Sequence, residues 1–237
     1  MMQVTNSIEA LLNGHILLIN KPFRWSSFDV IKKIKTLIKK KYNIKKIKVG
    51  HAGTLDPLAT GLLLVCIGKY TKKISDLQNQ QKVYTGEMTF GGSTPSYDLE
   101  TPVINTFETK HITKNKIKAT VNQFVGEINQ TPPIFSALKK NGERLYKKAR
   151  RGEKLKIPSR KVNVISFEIL KIDMPKISFR ITCSKGTYIR SIAHDFGIAL
   201  KSGAYLSKLC RIEIGNYSLK DALDVHTFEE KLNELFS

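Results

Sequence analysis

A chain of 237 residues with 41% hydrophobic side chains is long enough to bury a sizeable core and too apolar to stay disordered. Forty lysines and arginines against twenty acidic residues leave a formal charge of +20, which points to a polyanionic partner, nucleic acid before membrane. No apolar run reaches the length of a membrane span, the first residues lack the layout of a signal peptide, and the widely spaced Cys66, Cys183 and Cys210 suit core thiols in a reducing cytoplasm better than a disulfide frame.

His15–Asn20 is a short apolar run that predicts a buried strand ending in a turn at Lys21-Pro22. Ser26 and Asp29 have capping-box spacing, and Val30, Ile31, Ile34, Leu37 and Ile38 recur at helical spacing, so a helix is expected over 27–40. Its outer face carries Lys32, Lys33, Lys35, Lys39 and Lys40. Such a stripe is either a solvated face inflated by A- and T-rich codons or a set of phosphate contacts. Because only eight of the forty basic residues are arginine, each arginine kept is a candidate for a place that needs a planar, bidentate donor.

The next stretch, Gly50-His51-Ala52-Gly53-Thr54-Leu55-Asp56-Pro57-Leu58-Ala59-Thr60-Gly61, holds three glycines, a proline, a histidine and a single carboxylate. Glycines at this density suit tight turns and close backbone approach, and Pro57 biases Asp56 away from the helical region. Asp56 is the only acidic residue between Asp29 and Asp76, and surrounding cations favour the charged form of a carboxylate. The unbroken run Leu62–Ile67 reads as a strand buried on both faces, and 69–77 as a short helix. Gly61 to Lys69 lacks the spacing and the Ser/Thr of a nucleotide-phosphate loop.

Lys82–Phe90 alternates, with Tyr84, Gly86, Met88 and Phe90 on one side, and Gly91–Glu100 is expected to be a polar turn. Thr113 is placed to cap a helix carrying Ile117, Val121, Phe124 and Val125, closed by Gly126. Glu143–Arg151 predicts a short basic helix stopped by Gly152, within a basic arm around 128–160 where Tyr146 is interleaved with cations. Val162–Leu170 and Lys176–Cys183 predict paired strands.

Ser184-Lys185-Gly186-Thr187-Tyr188-Ile189-Arg190 ends a strand and opens a helix, with Thr187 as the expected cap. Arg190 sits in the first turn against the helix-dipole preference, so a carboxylate or phosphate partner is expected. Tyr205–Ile214 alternates again, with Leu206, Cys210, Ile212 and Ile214 on the apolar face and Leu209 on the side of Ser207, Arg211 and Glu213. Thr227 and Glu230 are expected to cap a terminal helix. The mixed order of strands and helices predicts one α+β domain over 1–237, built on a central, mostly antiparallel mixed sheet flanked by helices.

The five histidines show no metal-ligand spacing with one another or with cysteine, and neither Gly-x-Ser-x-Gly nor Gly-x-Gly-x-x-Gly is present. What remains is an aspartate in a glycine loop, an arginine at a helix start, two tyrosines and a large positive surface. That set fits cofactor-free work on a nucleic-acid base, with Asp as nucleophile or base and Tyr as a stacking platform.

The Gly50–Gly61 stretch resembles the catalytic motif of the bacterial tRNA pseudouridine-55 synthases, the TruB family. Lys21-Pro22 with Ser26-Ser27, the Tyr84 strand, Pro133–Lys139 leading to Arg144-Leu145-Tyr146, and Cys183–Arg190 are similar to the family in the same order, from about His15 to about Gly215. The resemblance implies a pseudouridine-synthase catalytic domain that isomerises uridine 55 in the tRNA T-loop, as a cytoplasmic monomer, with neither metal nor organic cofactor. It implies Asp56 as nucleophile, attacking either the base or the ribose C1′, and Arg190 as its partner. Tyr84 would stack on the flipped uracil and serve in proton removal from C5, Tyr188 would frame the pocket, His51 would prop the T-loop, and Leu209 would pack on the base. A tRNA-binding folding helper and a pseudouridine synthase for another RNA are the alternative readings. Two departures stand out: Arg24 occupies a turn position where the family usually has glycine, and no residues after Ser237 provide the C-terminal RNA-binding PUA domain of many members.

Overall fold

Six consecutive apolar residues, Leu62–Ile67, can be buried together only if both faces of their strand are covered. The computed structural model, which describes residues 8–140, 142–153 and 155–234, shows this arrangement. The chain forms two compact units, Met1–Tyr84 with Cys210–Ser237, and Thr85–Leu209. The strands Lys82–Phe90 and Ala204–Ile214 carry the chain from one unit into the other.

In the first unit the strand Ala59–Ile67 pairs antiparallel with His15–Lys21, from His15 opposite Ile67 to Lys21 opposite Gly61. Leu63, Val65 and Ile67 face a core built from Leu17, Ile19, the helix residues Val30, Ile31, Ile34 and Ile38, and Phe228 and Leu232 of the terminal helix. Leu62, Leu64 and Cys66 face the other way, onto Ile16, Leu18, Leu77 and Ile214. Alternation of side chains along the strand thus feeds two cores from one apolar run. The helix Ser27–Lys41 opens with the expected capping box: Ser26 N donates to Asp29 Oδ2 at 2.9 Å and Asp29 N donates to Ser26 Oγ at 3.1 Å.

The end of the Ala204–Ile214 strand runs beside the Gly61 end of Ala59–Ile67. Gly61 has φ +104, and a Cβ there would collide with the Arg211 backbone. Glycine is required here both for the left-handed backbone and for the close strand approach. Arg211, assigned by alternation to the face opposite the apolar residues, is 1% exposed, because this end of the strand is covered on both sides. The terminal helix Val225–Glu234 is capped three residues earlier than expected: the Asp224 carboxylate accepts from Thr227 N at 2.8 Å and from Thr227 Oγ1 at 2.9 Å.

In the second unit the sheet runs from Ala204–Leu209 through residues 85–90, Lys176–Cys183 and Arg160–Asp173 to Gly126–Gln130. Arg160–Asp173 pairs antiparallel on one edge with Lys176–Cys183 and on the other with Gly126–Gln130, Arg160 lying opposite Gln130 and Val164 opposite Gly126. The helix Ile189–Ala199 packs Ile192, Ala193 and Phe196 inward. Phe196, fully buried, meets Phe124 and Phe167 with ring centroids at 5.3 Å and Phe90 at 6.1 Å, edge-on or tilted as ring quadrupoles prefer.

Three expectations in this unit are corrected. The helix capped by Thr113 ends at Val121 and gives way to a single 3-10 turn, which leaves Val125 41% exposed. The Gly91–Glu100 turn is a hydrogen-bonded loop with Thr94, Ser96 and Asp98 buried, since its hydroxyls satisfy its own backbone: Thr94 Oγ1 and Ser96 Oγ both donate to Asp98 O. Thr187 does not cap the helix that follows it; its hydroxyl donates back to Ser184 O at 3.0 Å.

The basic arm contains the short ribbon in which Lys139 pairs with Arg144, then the helix Leu145–Arg150 anchored by buried Leu145. Its cations are partly neutralised from within. Arg151 grips both oxygens of Glu143 at 2.6 and 2.8 Å, and Arg150 reaches Glu100 at 2.7 Å.

The aromatic cluster makes the second unit sensitive to one truncation. Phe196→Ala is expected to lower the unfolding free energy by about 3–5 kcal/mol, measured by urea titration. A loss below about 1 kcal/mol would show that the cluster refills the cavity.

Candidate functional site

Asp56 is half-buried in a segment, Gly53–Pro57, that belongs to neither helix nor sheet, so its backbone polar groups need other partners. Within the first unit they find them in four places. Ser27, fully inside the protein at the start of its helix, pairs with Leu55 in both directions: Leu55 N donates to Oγ at 2.8 Å and Oγ donates to Leu55 O at 3.2 Å. Arg24 N donates to Pro57 O at 2.8 Å. Arg211 donates from Nε to Leu62 O at 2.8 Å, from Nη2 to Gly53 O at 3.1 Å and more loosely from Nη1 to Thr54 O at 3.5 Å.

The fourth partner is Lys21. Its side chain is fully buried, and Nζ donates to Trp25 O at 2.6 Å, to Pro22 O at 2.9 Å and more distantly to Pro57 O at 3.4 Å. Burial pushes its ammonium down to about 8, Arg211 adds to the shift, and the Asp56 and Asp29 carboxylates oppose it. Two cations therefore hold the aspartate loop by its carbonyls. Sequence reasoning noted the Lys21-Pro22 pair and Arg211 but gave neither side chain a role. The signal was there: an irregular glycine loop beside buried strands needs donors that reach several carbonyls at once, and long cationic side chains supply them.

His51, which closes the strand Val49–His51, sits five residues before Asp56. Burial holds its imidazole below the ordinary histidine range, Arg211 adds to this, and Nδ1 has no hydrogen-bond partner among the described residues. Tyr84, the last residue of the first unit, is 8% exposed on its strand.

In the second unit Arg190 is 2% exposed in the first turn of the helix Ile189–Ala199. The partner expected for a cation at that position is present in this unit: Nε lies 3.6 Å from Asp98 Oδ2, and Nη1 donates to Ser96 O at 3.1 Å. Asp98 was read only as part of a polar turn. Its loop is fixed by Tyr97, which takes φ +63 and stacks on His194 with centroids 3.8 Å apart, and by Glu100 N donating to Asp98 Oδ1 at 2.9 Å.

Tyr188 forms the N-cap of the same helix without a side-chain cap bond, and Gln130 clamps its backbone from both sides at 2.7 and 3.0 Å. Arg160 lies over its ring at 5.0 Å while donating to Gly186 O. Leu209, the last residue of this unit, is half-buried on its strand. Within the units, then, His51 ends the strand that leads into the Asp56 loop, and Tyr188 and Arg190 share one helix start. Among the described residues no group of three His, Cys, Asp or Glu could hold a metal ion.

Known proteins resemble this chain over most of its length. The TruB family pseudouridylate synthase N-terminal domain matches residues 39–189. The tRNA pseudouridine synthase B of Flavobacterium johnsoniae is 57% identical over 225 residues, covering 94% of this chain and 98% of that protein. The protein of the same name from Phocaeicola vulgatus is 45% identical over 221 residues, 93% of this chain and 94% of that protein. Among solved structures, a chain of "Crystal Structure of a Cbf5-Nop10-Gar1 Complex" is 28% identical with a TM-score of 0.68, covering 94% of this chain and 56% of that one. A chain of "Structure of H/ACA RNP bound to a substrate RNA containing 2'-deoxyuridine" is 26% identical with a TM-score of 0.67, and this chain spans 55% of its length.

The burial of Lys21 generates a pH signature. Between about pH 8 and the ordinary lysine range the unfolded chain holds a proton that the folded chain has released, so stability rises with pH across that window. The stability difference between wild type and Lys21→Met, from urea titrations at pH 7 and pH 9.5, is expected to move in favour of wild type by about 2 kcal/mol. A difference that does not change with pH would show that Lys21 keeps its proton throughout.

Proposed function

The chain belongs to the TruB family of pseudouridylate synthases, and from that premise we propose that it isomerises uridine 55 in the T-loop of tRNA to pseudouridine. In this reaction the N1–C1′ bond breaks, a C5–C1′ bond forms, and the proton lost from C5 is balanced by one gained at N1. No electrons enter or leave, so a nucleophile, a proton acceptor and a pocket for the extruded base suffice.

The observation that carries the reading is the loop of Asp56. A half-exposed carboxylate stands on a segment pinned by Ser27, Arg24, Lys21 and Arg211, which is how a nucleophile is kept in place without a cofactor to position it. Tyr84, Arg190, Tyr188, His51 and Leu209 keep the roles that the family resemblance implies. Asp98 and Ser96 join them as the groups that orient the Arg190 guanidinium in its own unit. Extruding a base from its stack costs a few kcal/mol, and stacking on a tyrosine returns roughly 1–3 kcal/mol of it.

Substituting Asp56→Asn should leave binding of a tRNA transcript intact and lower pseudouridine formation at position 55 by at least about 10⁴-fold, read by chemical mapping of the product. Retained product in that variant would remove Asp56 from the mechanism; pseudouridine at another position or in another RNA would redirect the substrate assignment. Binding should also weaken steeply with salt, each neutralised phosphate contributing a slope of roughly −0.7 to −0.9 in log K against log salt. A flat titration would mean that the lysine excess reflects composition alone.

A further inference from the structure

We propose that Arg24 contacts the phosphodiester backbone of the substrate RNA beside the reacting nucleotide and sets affinity, not the rate of the chemical step; this rests on the reading of the chain as an RNA-modifying enzyme. Arg24 has φ +66, in the left-handed region that suits glycine and disfavours any residue with a Cβ. The turn cannot relax out of it, because Arg24 N is committed to Pro57 O, the carbonyl next to the catalytic aspartate. Asn43 and Lys201, also at positive φ, directly follow helices, and Tyr97 is held by its stack on His194. Arg24 follows no helix, its fold contact is made by its backbone N–H, and its side chain lies only on its own neighbour Phe23. A large cation retained at a strained, exposed position is best explained by what its side chain meets.

Its surroundings indicate what that is. The guanidinium lies over the Phe23 ring at 5.6 Å, and Phe23 is itself 52% exposed. Stacking in this way holds the guanidinium plane and leaves its N–H edges available to an outside acceptor. Among the described residues no carboxylate is paired with Arg24. The neighbouring Asp29 spends Oδ2 on Ser26 N and Ser26 Oγ, and Lys21 spends its ammonium on carbonyls. Phe28, 70% exposed in the first turn of the following helix, adds a second aromatic surface. A planar cation over an exposed ring, tied by its own backbone to the nucleophile's loop, matches a phosphate with an adjacent base.

The test uses the full-length protein with a tRNA transcript and compares wild type, Arg24→Gly and Arg24→Lys. Arg24→Gly should unfold at the same or a higher temperature, since glycine relieves the left-handed backbone. The same variant should bind the transcript about three- to tenfold more weakly, with a salt slope shallower by roughly one unit. The loss should fall on KM and not on kcat. Arg24→Lys should keep the slope and recover part of the affinity. Unchanged affinity and slope in Arg24→Gly would overturn the proposal, as would a fall in kcat at unchanged affinity, which would place the role in the Pro57 contact. Wild-type binding without pseudouridine would defeat the functional reading but leave the Arg24 binding comparison valid; no binding by wild type would defeat both.

Discussion

A backbone segment that leaves regular secondary structure while remaining half-buried must still satisfy its carbonyls, and in this protein that demand is met by cations. Arg211 and Lys21 are both withdrawn from water to reach the Gly53, Thr54 and Pro57 carbonyls. Burying a charge is costly unless it is multiply hydrogen-bonded, and each of these side chains serves three acceptors. The same donors that rigidify the loop place positive charge where Asp56 stands, and the Asp56 carboxylate in turn offsets part of the burial penalty at Lys21. Folding and chemistry are therefore one constraint: the loop cannot lose either donor without also losing the field around the nucleophile.

The second unit solves a related problem by different means. Arg190 occupies a helix start, where backbone N–H groups repel a cation, and it is stabilised by Asp98 and the Ser96 carbonyl. Those two acceptors come from a loop whose own backbone is unusual, with Tyr97 at positive φ supported by its stack on His194. Burial pushes the neighbouring Asp195 up to about 6 and holds His194 below the usual histidine range. The result is a guanidinium whose direction is fixed by packing before any substrate arrives.

The parts of this structure that were legible in the sequence are those governed by periodicity and by local caps. The Leu62–Ile67 run, the 27–40 helix with its Ser26–Asp29 box and the Val162–Cys183 hairpin all follow from spacing alone. Asp56, Tyr84 and Arg190 were selected by residue type and by family resemblance, and the structure supplies their settings. Where expectation failed, a non-local partner decided. Arg211 looked solvent-facing by alternation until the Ala59–Ile67 strand closed over it. Thr187 found Ser184 O instead of the next helix, and Asp98 became a buried ion-pair partner because Arg190, ninety-two positions later, needed one. Hydroxyl and carboxylate roles depend on which acceptors tertiary packing brings near, and that information is absent from a local window.

Charge shows how composition and function can be separated. If codon bias alone explained the basic excess, arginines would be scattered as lysines are. Instead, most of them sit where a planar donor is used: Arg151 on both oxygens of Glu143, Arg211 on three carbonyls, Arg160 over Tyr188 with a bond to Gly186 O, Arg150 on Glu100 and over Tyr146, and Arg190 on Asp98. Arg180 lies directly across from Glu168 in the hairpin register. The arginines are thus mainly architectural, and their positive charge is largely answered inside the fold. The long-range attraction for a polyanion must then come chiefly from the lysines, whose compact ammonium groups act as point charges and tolerate exchange of position. A lysine-rich composition and an RNA-binding surface are therefore compatible explanations: bias supplies the cations, and the few guanidiniums decide where geometry matters.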